Sequence, residues 1–154
     1  MRDDYGEIDP EPFVAILKAY WQRPQIHDDA LELLDGLERC DLPVVCVSNA
    51  DTLDIESAIR LHGLRFDALV TSQMARSYKP DGRIFQYAAE KIGVDLTRVM
   101  HVGDSLHSDI GGAKRLGMTA TWISREDRIF DVGEAKPDYT IRTLRELPAL
   151  LSDP

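Results

Sequence analysis

Cysteine is nearly absent from this 154-residue chain, which has it only at positions 40 and 46. Neither thiol has Cys or His neighbours at ligand spacing, which excludes a zinc finger or ribbon. Cys46 sits inside an apolar run and reads as a small buried side chain. Cys40 ends the helical stretch before it, and nothing nearby activates either thiol. No apolar run approaches membrane-spanning length. The opening Met1-Arg2-Asp3-Asp4-Tyr5 lacks the basic and apolar segments of a signal peptide, so cytoplasm is the expected compartment. Positive charge is also scarce, with 18 Lys and Arg against 27 Asp and Glu. A formal charge of −9 speaks against a nucleic acid or an anionic membrane as partner. It leaves an anionic small molecule open, because a bound cation reverses the local field. Finally, Val47-Ser48-Asn49-Ala50-Asp51 is not a glycine-rich loop, which excludes a dinucleotide-binding turn after the first strand.

What is present is ordinary globular composition, 44% apolar and 29% charged, enough for one domain with a sizeable core. Asp9-Pro10 reads as the start of a helix carrying Phe13, Ile16, Leu17, Tyr20 and Trp21 on one face, broken at Pro24. A second helix starts near Asp28 or Asp29, with Leu31, Leu34 and Leu37 aligned. Strands are predicted at Val44–Val47, Phe66–Thr71, Val99–Val102, Thr119–Ile123 and Tyr139–Ile141. Helical spacing fills the intervals: Ile55 to Leu61 before Gly63, Ile84 to Ile92 before Gly93, Ile110 to Leu116 before Gly117, and Leu144 to Leu151. Such alternation builds βαβ units around a parallel sheet. In that architecture the site lies beyond the carboxyl ends of the strands.

Three of those ends carry chemistry. Ser48 and Asn49 offer a hydroxyl and an amide, able to hydrogen-bond phosphoryl oxygens or simply to cap the next helix. Lys79, in Tyr78-Lys79-Pro80-Asp81, is a point charge on a rigid loop, or a solvated surface group. Asp104 and Asp109 follow the strand ending at Gly103 and suit a hard cation, or else a cap and a surface charge. Gly103 admits close backbone approach, and Gly111 and Gly112 stand where a helix favours alanine, which suggests tight packing. His101 reads as a satisfied core residue, and His107 as a loop residue beside the carboxylates.

In chain order, Ser48-Asn49, Lys79-Pro80 and Gly103-Asp104 with Asp109 resemble the second, third and fourth motifs of the haloacid dehalogenase-like (HAD) hydrolase superfamily. Lys79 to Phe85 is similar to the third-motif segment, and Gly112 to Met118 to the helix after the fourth. The resemblance runs from about Pro24 to Leu151. It implies an α/β fold, a Rossmann-like three-layer core with a parallel sheet over residues 25–154, and a helical remnant of a cap over 1–24. It implies that Ser48 and Asn49 hold the transferring group and that Lys79 steadies charge on the nucleophile and phosphoryl group. Asp104 would bind Mg²⁺, and Asp109 would support the metal directly or through water. The implied reaction is Mg²⁺-dependent hydrolysis of a small phosphate ester. The dehalogenase branch, which also uses an attacking aspartate but needs no Mg²⁺, is the alternative within the family. The acidic pair leans toward phosphatase chemistry.

The family's first motif, Asp-x-Asp at the end of a first strand, is missing from the sequence. The first of those aspartates is the nucleophile, and the second is the general acid and base in phosphatases. In the family this strand lies mid-sheet, between the strands here predicted at Val44–Val47 and Val99–Val102. Without it two ladders face each other unpaired, at about 1–3 kcal/mol per buried group, against a domain margin of about 5–15 kcal/mol. The flanking strands closing up, a second chain pairing there, or a polypeptide beginning further upstream would each fill the slot. The last, a truncated enzyme inactive or severely impaired by itself, is the expectation, with self-association through the open edges. A non-catalytic module that binds Mg²⁺ and phosphate, or a partner, is the competing reading.

Overall fold

The computed structural model describes residues 11–21, 23–125 and 135–151. Asp9 and Pro10, the expected start of the first helix, lie outside them, as do the side chains of Tyr20 and Trp21. The order of elements is α1 (Glu11–Trp21), α2 (Asp28–Arg39), β1 (Val45–Ser48), α3 (Thr52–His62), β2 (Ala68–Thr71), α4 (Ser72–Ala75) and α5 (Gly82–Ile92). Then come β3 (Met100–Gly103), α6 (Gly111–Arg115), β4 (Thr119–Ile123), β5 (Tyr139–Ile141) and α7 (Leu147–Leu151). Local chemistry sets the boundaries. Gly63 and Gly93 take the left-handed conformation, at φ of 63° and 68°, and stop α3 and α5. The Asp81 carboxylate accepts the Arg83 N–H and starts α5.

Several details depart from the sequence reading: β1 and β3 each start one residue later than expected, and α7 follows a 3₁₀ turn at Leu144–Glu146. β2 begins at Ala68 rather than Phe66, because Asp67 closes the ladder with its N–H on the Val44 carbonyl and its carboxylate on the Val44 N–H. The short α4 is an addition, capped by the Thr71 hydroxyl on the Met74 N–H at 3.2 Å. The segment Leu106–Ile110 coils as a π-helical turn ahead of α6, over a stretch read as loop up to Ile110, where the helix was expected to begin.

Every described strand pair is parallel, but the strands fall into two groups, β1–β2 and β3–β4–β5. Among the described residues nothing joins β1 to β3, which matches the gap the sequence predicts. Helices cover both faces. On one side Val70, Ile84, Phe85, Ile110, Ala113 and Trp122 pack as the larger core, under α5 and α6. On the other, Ile123, Ile141 and Leu147 pack with Leu33, Met100 and Val102. Successive residues of β4, Trp122 and Ile123, enter opposite cores, as alternation along a strand demands. α1 leaves Phe13 and Ile16 exposed, and the His62 ring meets the Pro24 carbonyl at 2.7 Å just after it. No helix among the described residues is long and apolar enough to cross a membrane.

Candidate functional site

The carboxyl ends of β1, β2 and β3 bring together a small polar cluster centred on Asp109. The Lys79 ammonium lies 2.6 Å from Asp109 Oδ1 and 3.0 Å from the Val47 carbonyl at the end of β1. The His101 ring nitrogen Nε2 donates to the same Oδ1 at 3.1 Å. The Ser105 N–H donates to Oδ2, also at 3.1 Å. The three side chains are all largely buried, at 13% exposure for Lys79, 11% for His101 and 6% for Asp109. Burial alone would raise the Asp109 pKa. The hydrogen bond from His101 and the charge and hydrogen bond of Lys79 outweigh it and hold the carboxyl well below the ordinary carboxylate range.

The backbone explains why these groups meet. Residues two apart in a strand share a face, so His101 and Gly103 point the same way. A Cβ on Gly103 would fall inside the Asp109 carboxyl, so only glycine leaves it room. A Cβ on Gly112 would sit 2.6 Å from the Phe85 ring and 3.3 Å from Pro80, so this glycine locks α6 against α5. Gly111, read as equally tight, has only ordinary contacts, the nearest at 3.4 Å. Phe85 in turn stands edge-on to His101, with ring centroids 5.0 Å apart. The Trp122 indole donates to the Asp104 carbonyl at 3.0 Å and pins the loop after β3.

Each expected site residue has a definite place. Asn49 grips the Lys79 peptide from both sides: its Oδ1 accepts the Lys79 N–H at 2.7 Å and its Nδ2 donates to the Lys79 carbonyl at 3.0 Å. Its amide is thus engaged in fixing the lysine loop. The Ser48 hydroxyl accepts the Ala50 N–H at 3.2 Å, so it shapes the turn after β1 rather than capping α3, whose N-cap is Asp51. Asp104 is exposed beyond β3, and His107 is exposed in the following turn. His101 is indeed a satisfied histidine, but what satisfies it is the Asp109 carboxylate of the site. Its position two residues before Gly103 was the available sign.

The fit to a divalent cation is uneven. Asp109 has both oxygens engaged, so it is not a free ligand. Asp104 is exposed to solvent at the end of β3. Among the described residues no three His, Cys, Asp or Glu side chains are grouped to hold a metal ion. Mg²⁺ keeps several waters and takes only one or two carboxylates, so a single exposed acid such as Asp104 is compatible with that ion.

The chain has relatives of known family. The haloacid dehalogenase-like hydrolase family matches residues 3–117, and the chain belongs to that family. It is 28% identical over 142 residues to an (S)-2-haloacid dehalogenase of Pseudomonas fluorescens, covering 91% of this chain and 62% of the relative. It is 34% identical over 125 residues to the pyrimidine 5′-nucleotidase YjjG of Escherichia coli, covering 79% of this chain and 55% of the relative. Among solved structures, the HAD-family YfnB of Bacillus subtilis, bound to magnesium, superposes with a TM-score of 0.86 at 26% identity, over 99% of this chain and 68% of that one. The chain therefore spans between half and two thirds of the length of these two curated relatives.

Proposed function

We propose that this chain carries the phosphate-handling part of a Mg²⁺-dependent HAD phosphatase that acts on a small phosphate ester. One observation carries the reading: a buried ammonium, Lys79, held at the strand ends by Asp109, the Val47 carbonyl and the Asn49 clamp. A preorganised cation costs no rearrangement when an anion arrives beside it. In this reading Lys79 neutralises the phosphoryl oxygens and Ser48 hydrogen-bonds one of them. Asn49 keeps the Lys79 loop in register. Asp104 holds Mg²⁺, which when bound supplies a second positive charge against the phosphoryl group. Asp109 holds Lys79 and stands behind the metal. The similarity to the nucleotidase YjjG and to the magnesium-bound YfnB supports this choice. The similarity to an (S)-2-haloacid dehalogenase favours a second reading, in which the same lysine receives a haloacid and no metal is needed.

Calorimetry on the 154-residue chain separates the two. Inorganic phosphate should bind with Mg²⁺ present, and the binding should be lost on chelation and in Asp104→Ala. Binding of 2-chloropropionate that is indifferent to Mg²⁺ and to Asp104→Ala, with no phosphate binding, would overturn the phosphatase reading. Hydrolysis of p-nitrophenyl phosphate by the same sample tells a catalyst from a binding module.

A further inference from the structure

His101 has no task in the reaction proposed above, yet it is bound to the centre of the site. Its Nε2 donates to Asp109 Oδ1 at 3.1 Å, the oxygen that also takes the Lys79 ammonium at 2.6 Å. An ammonium on the flexible stem of a lysine is placed only as firmly as its acceptors are. Those are the Val47 carbonyl, fixed by β1, and the Asp109 carboxylate. The last torsion of an aspartate is broad, so the carboxylate does not aim itself. Donors on both of its oxygens do that: the Ser105 N–H on Oδ2 and His101 on Oδ1. Ser105 stands at the head of the turn after β3, whereas His101 belongs to β3 itself, paired with Ala120 of β4. The imidazole is held in turn. Phe85 stands edge-on to it, the two planes 83° apart, and is 2% exposed. Gly112 lets the Phe85 ring approach α6, since a Cβ there would lie 2.6 Å from it. A continuous series of contacts thus runs from α6 through Phe85, His101 and Asp109 to Lys79. A buried imidazole that needed only a partner would be served by any main-chain carbonyl. This one reaches the oxygen that places a charge.

We propose that His101 is a positioning residue for the anion site. It fixes the rotation of the Asp109 carboxylate, so that Oδ1 stays on the Lys79 ammonium and the ammonium stays at the strand ends. It acts through Asp109 and not by contact with the anion, because its side chain is 11% exposed and sits two residues short of the end of β3. Two devices then place Lys79 separately. Asn49 fixes its peptide, and His101 with Asp109 fixes its tip. The N–H donor is the working part of the imidazole, and the contact with Phe85 sets its direction. Without that donor Asp109 keeps Lys79 and Ser105 on a carboxylate free to turn, and the ammonium spreads over several positions. An arriving anion must then order it, which lowers affinity. The effect on phosphate rests on the reading of Lys79 given above, whereas the aiming of Asp109 by His101 does not.

The test compares His101→Leu, His101→Asn and His101→Gln in the 154-residue chain. Glutamine carries an N–H donor as many bonds from Cβ as the histidine Nε2. Asparagine carries one too short to reach, and leucine carries none. Two readouts need no ligand: hydrogen exchange at the Ser105 amide, and the rate of reductive methylation of the Lys79 amine by formaldehyde and cyanoborohydride. His101→Leu and His101→Asn should speed both about tenfold, the size expected on losing a hydrogen bond to a charged group. His101→Gln should restore both rates, and the β4 amides should exchange as before in all three variants. Affinity for inorganic phosphate with Mg²⁺ present should follow the same order, and His101→Leu should change nothing further in a Lys79→Met background. His101→Asn carries the comparison if His101→Leu does not fold. Unchanged Ser105 and Lys79 rates in these two variants would overturn the proposal. An equal change in His101→Gln would overturn it in favour of ring packing on Phe85. Faster exchange throughout β4 would also overturn it, making His101 a plain support of the fold. Ligand-free rates that respond, in a chain that binds no phosphate, would support the aiming of Asp109 and overturn the phosphate reading alone.

Discussion

Asp29 and Asp109 are both buried acids, at 3% and 6% side-chain exposure, and both have carboxyls held below the ordinary range. What surrounds them differs. Asp29 takes both guanidinium nitrogens of Arg125 at 2.9 Å, the Thr143 hydroxyl at 2.6 Å and the Leu144 N–H at 2.8 Å. The Arg125 hydrogen bonds are the main reason its pKa is low. These partners stitch α2 to the chain beyond β4 and β5, elements more than ninety residues apart in sequence. Asp109 instead takes its shortest hydrogen bond from Lys79, on a loop at the strand ends, and another from His101. The first arrangement is a bolt between distant elements. The second sets a buried ammonium at the strand ends, where the proposed function places an incoming anion. Burial and a lowered pKa are common to both, so neither marks function; location at the carboxyl ends of β1, β2 and β3 sets Asp109 apart.

Asp29→Ala should have the largest effect, because it leaves Arg125 facing an empty, buried socket. A loss of about 3–5 kcal/mol is expected in urea denaturation, with phosphate binding by the remaining folded protein unchanged. A loss below about 1 kcal/mol, the size of an exposed pair, would erase the distinction. Gly103→Ala should do the reverse. Overpacking against Asp109 should cost about 1–3 kcal/mol, yet phosphate binding should vanish, because the carboxyl that places Lys79 is pushed aside.

Acid titration sharpens the comparison further. Both carboxyls have folded pKa values below the usual 3.8, so each contributes stability that is complete above about pH 4. That stability is lost as pH falls from there toward the folded values. Asp29→Asn removes the Asp29 share, so its stability should fall less steeply below pH 4 than that of the unmodified chain. An identical slope would mean that Asp29 is not the acid-sensitive bolt. The smallest effect belongs to Arg65→Ala, which removes an exposed ion pair with Glu38, the two side chains being 69% and 58% exposed. A melting experiment should show a change of about 1 kcal/mol or less.

The sequence carried the alternation of strands and helices because each element has its own periodicity and its own stop signal, as at Gly63 and Gly93. It carried the gap between β1 and β3 through a missing motif rather than through any residue present. The meeting of Lys79 with Asp109 was legible as a shared sheet edge. The finer geometry was not. That Asn49 clamps Lys79 depends on two loops thirty residues apart touching, and nothing local to Asn49 announces it. That Asp29 pairs with Arg125 depends on how α2 returns to the far end of the sheet. The π-helical turn at Leu106–Ile110 was also hidden, since its polar pattern matches a loop equally well.

The central claim is that Lys79 is an anion-receiving charge set in place by Asp109 and Asn49. It is tested most directly by the affinity of the 154-residue chain for inorganic phosphate, with Mg²⁺ present, before and after Lys79→Met. A charge-assisted contact of about 1.5–3 kcal/mol predicts a loss of at least about tenfold, with the fold retained by circular dichroism. Unchanged phosphate affinity in the folded variant would contradict it.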